Sequence, residues 1–168
     1  MYEIALFALP FLITFAWAGK QGAPWVPSKS DDLNRFLRLA NIQPGQKVYD
    51  LGCGDGRVLR AAAEKGAEAY GYEISLLPFF IAKIRCLLSP YRKNCHVMYK
   101  NFWSVNLKDA DVVYFFLMPK IYQKLKEKFA RELKFGAKVI AYVWPIEGWT
   151  PKMVDTINQR PRIYLYEK

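Results

Sequence analysis

The chain has 168 residues, 52% of them hydrophobic, which is one domain's length with enough apolar material for a real core. Its formal charge of +10 directs it toward acidic partners (anionic lipid, nucleic acid or an acidic protein surface) unless the excess is simply a solvated face. Cys53, Cys86 and Cys95 form no C-x-x-C pattern and His96 is the only histidine, which excludes a cysteine framework, a histidine-based metal site and a histidine triad.

Ile4 to Ala18 is an uncharged apolar run interrupted by Pro10. As a helix it reaches about 22 Å at ~1.5 Å per residue, short of a ~30 Å hydrocarbon core. Tyr2 and Trp17 stand where interfacial anchors belong. A short membrane anchor, a signal peptide ending in Ala16-Trp17-Ala18 and a helix packed on the domain all remain open. The anchor is the preferred reading. Met1-Tyr2-Glu3 lacks the positive charge of a signal peptide. Lys20, Lys29, Arg35 and Arg38 follow the run, so the positive-inside rule leaves the domain cytoplasmic. This divides the chain into an anchor (1–19), a Gly- and Pro-rich linker (20–30) and a folded domain (31–168).

Ser30 is expected to cap a helix from Asp31 to about Asn41, with acids in its first turn. Pro44-Gly45 turns into a first strand, Val48 to Leu51, followed by a glycine turn and a helix from Arg57 to Lys65. Glu68 to Ile74 reads as a second strand, Leu76 to Leu88 as an apolar helix and His96 to Lys100 as a third strand. Asp111 to Leu117 is apolar enough for a strand buried on both faces. A long helix follows from Pro119 to Lys134, with Lys120, Lys124, Lys128, Arg131 and Lys134 expected outside. Lys138 to Trp144 is a fifth strand; Met153 to Ile157 and Arg162 to Tyr166 read as two more, joined by a tight turn. The alternation predicts an α/β fold: a mostly parallel, Rossmann-like sheet, helices on both faces, a C-terminal antiparallel hairpin and a short hydrophobic N-terminal helix.

The chemistry centres on Asp50-Leu51-Gly52-Cys53-Gly54-Asp55-Gly56. A dinucleotide fingerprint requires glycine at 57, where this chain has Arg57. Asp50 and Asp55 also place negative charge where a pyrophosphate would sit, and suit a ligand carrying an amine and a sulfonium. The stretch looks like the first motif of the class I S-adenosylmethionine (SAM) methyltransferases. Glu73, at the end of the second strand, is placed to accept ribose hydroxyls. In a methyltransferase, Asn101 and the Phe102 amide at the end of the third strand would meet adenine. Leu117, Met118 and Pro119 end the fourth strand at the switch point beside the first, where the acceptor should enter. The D/N-P-P-Y/F stretch of many amino-methyltransferases is absent there. Tyr114, Phe115, Phe116, Tyr142 and Trp144 either line an acceptor slot or form ordinary core. Methyl transfer requires no nucleophile and no metal, so none is assigned and the catalytic residues stay unknown.

The order Pro24-Trp25-Val26-Pro27-Ser28, the SAM motif, Gly71-Tyr72-Glu73-Ile74, Asn101-Phe102-Trp103, Glu132-Leu133 and Trp149-Thr150-Pro151 resembles one methyltransferase family. These are the lysine methyltransferases of the ATP synthase c subunit and the adenine nucleotide translocase, with their small prokaryotic relatives. The resemblance covers about residues 24–151 and implies SAM as cofactor, bound by Asp50, Gly52, Cys53, Gly54, Glu73, Ile74, Asn101 and Phe102, with Ser28 closing over its methionine end or over the substrate entrance. It implies a protein substrate with an accessible lysine, membrane-associated, with no nucleic acid and no metal. The family has Asp where this chain has Asn101, and an aromatic-rich stretch where this chain has Ser75-Leu76-Leu77-Pro78. The second departure bears on the substrate. A small-molecule, lipid, quinone or RNA methyltransferase, or a SAM-binding protein without catalysis, remains the alternative.

Overall fold

The computed structural model describes Thr14, residues 30–157 and residues 159–168. The run over 4–18 apart from Thr14, the linker up to residue 29 and the candidate Ser28 lie outside the described residues. Five strands, β1 (Lys47–Leu51), β2 (Glu68–Glu73), β3 (Cys95–Tyr99), β4 (Val112–Phe115) and β5 (Lys138–Tyr142), run parallel. β6 (Met153–Asp155) and β7 (Ile163–Glu167) are antiparallel to each other, and β7 is antiparallel to β5. The single sheet has the order β3-β2-β1-β4-β5-β7-β6. The helices are α1 (Ser30–Ala40), α2 (Arg57–Glu64), α3 (Leu76–Leu87) and α4 (Tyr122–Glu132).

Strand periodicity splits the core into two layers. Val48, Val112, Tyr114 and Ile140 bury one face of the sheet with Phe36 of α1 and Leu59 of α2. Tyr49, Leu51, Val113, Phe115 and Val139 bury the other with Leu125 and Phe129 of α4. α2 sits so close to β2 that a Cβ at Gly71 would run into Leu59 and lie 2.8 Å from the Cys53 side chain.

The elements are shorter than the apolar runs predict. The Pro119 segment opens as a 3-10 turn (Pro119–Ile121) before α4 begins, with the proline in the first turn, where its missing donor costs nothing. β4 ends at Phe115 and β5 at Tyr142, where Val143 turns to φ 79°. That conformation is uncommon for a β-branched residue and marks the backbone as strained there.

Lys128 corrects the sequence reading. Helical spacing places it outside, yet it is only 4% exposed. Its Nζ donates to Val105 O at 2.6 Å and Glu132 Oε2 at 2.7 Å, so the buried charge is paired and hydrogen-bonded.

The ring of elements closes through a polar cluster that periodicity does not reveal. Arg35 of α1 donates to Asp32 Oδ1 at 2.8 Å, to Asp155 Oδ1 at 2.7 Å and to Pro161 O at 2.9 Å. The Tyr142 hydroxyl donates to Asp32 Oδ2 at 2.6 Å. The first helix is thereby tied to the C-terminal hairpin.

Candidate functional site

The parallel strands direct their carboxyl ends to one edge of the sheet. β1 pairs with both β2 and β4, with Asp50 opposite Gly71 and Tyr114. This is the switch point expected of an open α/β sheet, and it brings Asp50, Glu73 and the Leu117–Pro119 stretch to one place.

The glycine loop is fastened from behind. Gly52 N and Cys53 N donate to Tyr72 O at 2.9 and 3.1 Å, and Gly54 N donates to Glu73 Oε2 at 3.0 Å. Gly52 takes φ 91°, which admits few other residues, and a Cβ there would stand 3.4 Å from Leu117 Cδ2. These three amides are spent inside the protein, so they offer no cradle for a phosphate. The Cys53 side chain is core, leaving only its backbone at the loop.

Three acids surround this loop, and they are not equivalent. Asp55 accepts from Arg57 Nε and Nη2, both at 2.8 Å, and also pairs with Arg85. Burial would raise its carboxyl, but the Arg57 bonds and the two guanidiniums hold it below the usual range. Asp50 is fully enclosed; burial first, then the charges of Glu73 and Asp55, push its carboxyl well above the usual range. Burial also raises Glu73, against the pull of three backbone N–H groups. Two neighbouring buried carboxylates, both raised by desolvation and neither paired with a protein cation, are the chemistry that accepts a ligand cation.

Glu73 is more fully engaged than its position in the sequence reveals. Oε1 accepts from Ile74 N at 2.9 Å and Ser75 N at 2.8 Å, while Oε2 holds the Gly54 amide. Oε2 keeps one further acceptor position for a ribose hydroxyl. Ile74 itself is buried beside it. The backbone tie from β2 to the glycine loop is a feature that spacing alone does not show.

Asn101 sits at the end of β3, where its Oδ1 accepts from Trp103 N at 3.1 Å and caps the turn Phe102–Ser104. A second lone pair on that oxygen is available to an exocyclic amine. Phe102 is buried against the Trp103 ring, with centroids 4.8 Å apart. Lys128 reaches under this turn to Val105 O and, at 3.4 Å, Trp103 O. It is a positioning group that the sequence analysis misplaced.

On the other side of the loop, Leu117 is buried and its carbonyl accepts from the Tyr122 hydroxyl at 3.0 Å. Met118 is 39% exposed and Pro119 is exposed. Of the five aromatics considered for an acceptor slot, Tyr114 packs edge-on to Phe36, and Phe115 packs against Tyr122 and Phe129 in the core. Phe116, stacked on Trp144 and edge-on to Tyr142, is the group near the strand ends. A cavity of about 480 Å³ opens beside Asp55, which lines it together with Glu64, Arg57, Arg60, Arg85 and Tyr91. Three guanidiniums and two carboxylates thus share its wall. Among the described residues no group of His, Cys, Asp and Glu could hold a metal ion, and no helix is long and apolar enough to cross a membrane.

Comparison with known proteins agrees with this geometry. Residues 50–153 match the family described as the ANTKMT methyltransferase domain. A protein-lysine N-methyltransferase of Saccharolobus islandicus (strain REY15A) is 35% identical over 153 residues, covering 85% of this chain and 92% of that protein. The adenine nucleotide translocase lysine N-methyltransferase of Mus musculus is 36% identical over 136 residues, covering 78% of this chain. This chain spans only 57% of the mouse protein's length. Among solved structures, an RNA methyltransferase from Salinibacter ruber in complex with S-adenosyl-L-homocysteine superposes with a TM-score of 0.80 at 26% identity. It covers 84% of this chain and 93% of its own.

Proposed function

This chain belongs to the ANTKMT methyltransferase domain family of SAM-dependent enzymes, and we propose that it methylates the ε-amine of a lysine on a membrane-associated protein. The observation that carries the site is the pair of buried carboxylates without a cationic partner, Asp50 in β1 and Glu73 at the end of β2, flanking a glycine loop whose Gly52 abuts Leu117. Those residues fit SAM: Asp50 offers negative charge to its cationic end, Glu73 Oε2 an acceptor to its ribose, and Asn101 Oδ1 an acceptor to its adenine. Bound there, SAM supplies an electrophilic methyl group that leaves sulfur as the lysine nitrogen bonds to it. The amine must arrive neutral, having lost its proton to water. The apolar edge formed by Leu117, Met118 and Phe116 disfavours the ammonium form and orients the nitrogen.

The lysine acceptor is supported by the names of the relatives. The membrane reading is supported by the apolar run over 4–18, which we take to hold the catalytic domain on the cytoplasmic side. Transfer from methyl-labelled SAM into membrane-protein, lipid and RNA fractions tests the proposal. Label recovered as methyl-lysine after acid hydrolysis of the protein fraction is the expected result. Label confined to lipid or RNA would replace the acceptor while leaving the cofactor site intact.

A further inference from the structure

α3 is apolar almost all round, and a helix of that kind is normally buried on every side. Here the domain covers only one side, through Pro78, Ala82 and Cys86. On the opposite side stand Leu77, Phe80, Ile84 at 56% exposed, Leu87 at 66% and Leu88 at 78%. At helical spacing these five fall within one arc of roughly 100°. Exposed Lys83 and half-exposed Arg85 border the arc on its two sides. Tyr91 continues it past the helix end, followed by exposed Arg92 and Lys93. A contiguous apolar patch with such a rim marks an interaction surface.

We propose that this face of α3 is a membrane-docking surface that lies on an anionic bilayer, its apolar residues in the headgroup boundary and its basic rim against lipid phosphates. This rests on the membrane reading given above and extends it to a surface of the folded domain. Two independent observations select the occupant. Arg85 is paired with Asp55, but Lys83 beside the arc and Arg92 and Lys93 past the helix end leave the rim basic, so a second copy seated face to face would oppose cation to cation, whereas anionic headgroups complement it. Thr14, within the apolar N-terminal run, also meets this helix: it is helical and its hydroxyl accepts the Leu76 N–H at 3.2 Å, at the first residue of α3. Leu76 stands three positions after Glu73, so the docking helix begins beside the cofactor site.

The test compares the full chain with Ile84→Glu/Leu88→Glu and with the milder Ile84→Ser/Leu88→Ser. Each is sedimented with phosphatidylcholine vesicles, with and without phosphatidylserine, and titrated with SAM. The wild-type chain should partition more strongly when phosphatidylserine is present. The Glu variant should partition at least about tenfold less, the Ser variant should fall between them, and all three should bind SAM equally. Variants that partition like the wild type overturn the inference, because residues 4–18 then suffice. A wild-type chain that is dimeric without vesicles and becomes monomeric on substitution assigns the face to a second copy and also overturns it. Failure of the wild type on every vesicle removes the membrane reading as well. A loss of methyl-lysine with vesicle binding intact removes only the acceptor.

Discussion

Glu73 fastens the loop through Gly54, and in the proposed site its Oε2 also accepts from the ligand's ribose. Glu73→Ala should therefore weaken SAM binding by well over tenfold, since charge-assisted hydrogen bonds contribute about 1.5–3 kcal/mol each. Calorimetry on a variant shown to be folded checks this, and unchanged affinity would remove Glu73 from the site. The raised carboxyls of Asp50 and Glu73 carry a second consequence. An acid whose folded value exceeds its unfolded one binds more protons when folded, so the unliganded chain loses stability as pH rises through that window. A cationic ligand reverses the trend by favouring the carboxylates. SAM should release protons on binding above the ordinary carboxylate range, and its thermal stabilisation of the protein should grow from acid toward neutral pH. Calorimetry in buffers of different ionisation enthalpy measures the protons; zero release at every pH would contradict the charge argument. Asp50, the glycines and Glu73 were legible because their chemistry is local in sequence. Lys128 was not, because helical spacing reports which side of a helix a residue takes, not whether distant carbonyls wait there. Lys128→Met should loosen the Phe102–Ser104 turn and raise the SAM dissociation constant severalfold, with a larger effect on affinity than on turnover.

At the scale of elements, the strands and α-helices among the described residues follow from apolar period, and only their ends moved. The positive φ of Val143 accounts for one of those ends through backbone sterics. The tie between α1 and the C-terminal hairpin was not legible, since Arg35 and Asp155 are far apart in sequence and look like ordinary surface charges. Arg35 is 4% exposed, and its removal leaves Asp32 and Asp155 without their main cation. Breaking a buried pair this way costs about 3–5 kcal/mol, so Arg35→Ala should lower the melting temperature sharply. The exposed Arg160–Asp31 pair should contribute about 1 kcal/mol or less. Burial works to raise Asp32, but the Tyr142 hydroxyl and Arg35 outweigh it and hold its carboxyl below the usual carboxylate range. That contribution is complete above the unfolded value and disappears as pH falls through the lower folded one. Equal thermal losses for Arg35→Ala and Arg160→Ala would show that the cluster does not lock the helix.

Across the whole molecule, the sheet separates the single histidine from the chemistry. β2 runs from Glu68 to Glu73, and the site lies at its Glu73 end. His96 pairs in register with Tyr70, and its Nε2 lies 3.0 Å from Glu68 Oε2, toward the other edge. It stands clear of the Leu117–Pro119 edge and is not placed to take a proton from the acceptor. A lysine acceptor must then reach its neutral form through solvent and through the apolar surroundings at Leu117 and Met118. Methyl transfer should accordingly rise with pH toward the ordinary lysine value of about 10.4, without a plateau near the histidine range. His96→Gln should leave both turnover and SAM affinity almost unchanged. Met118→Ala should lower turnover severalfold while SAM affinity holds, because Met118 borders the acceptor side and not the ribose or adenine. Methyl transfer and SAM binding, measured separately for each variant across pH, distinguish these effects. A His96→Gln protein that binds SAM normally yet transfers no methyl would require a proton path across the sheet, and a site without a protein base would be wrong.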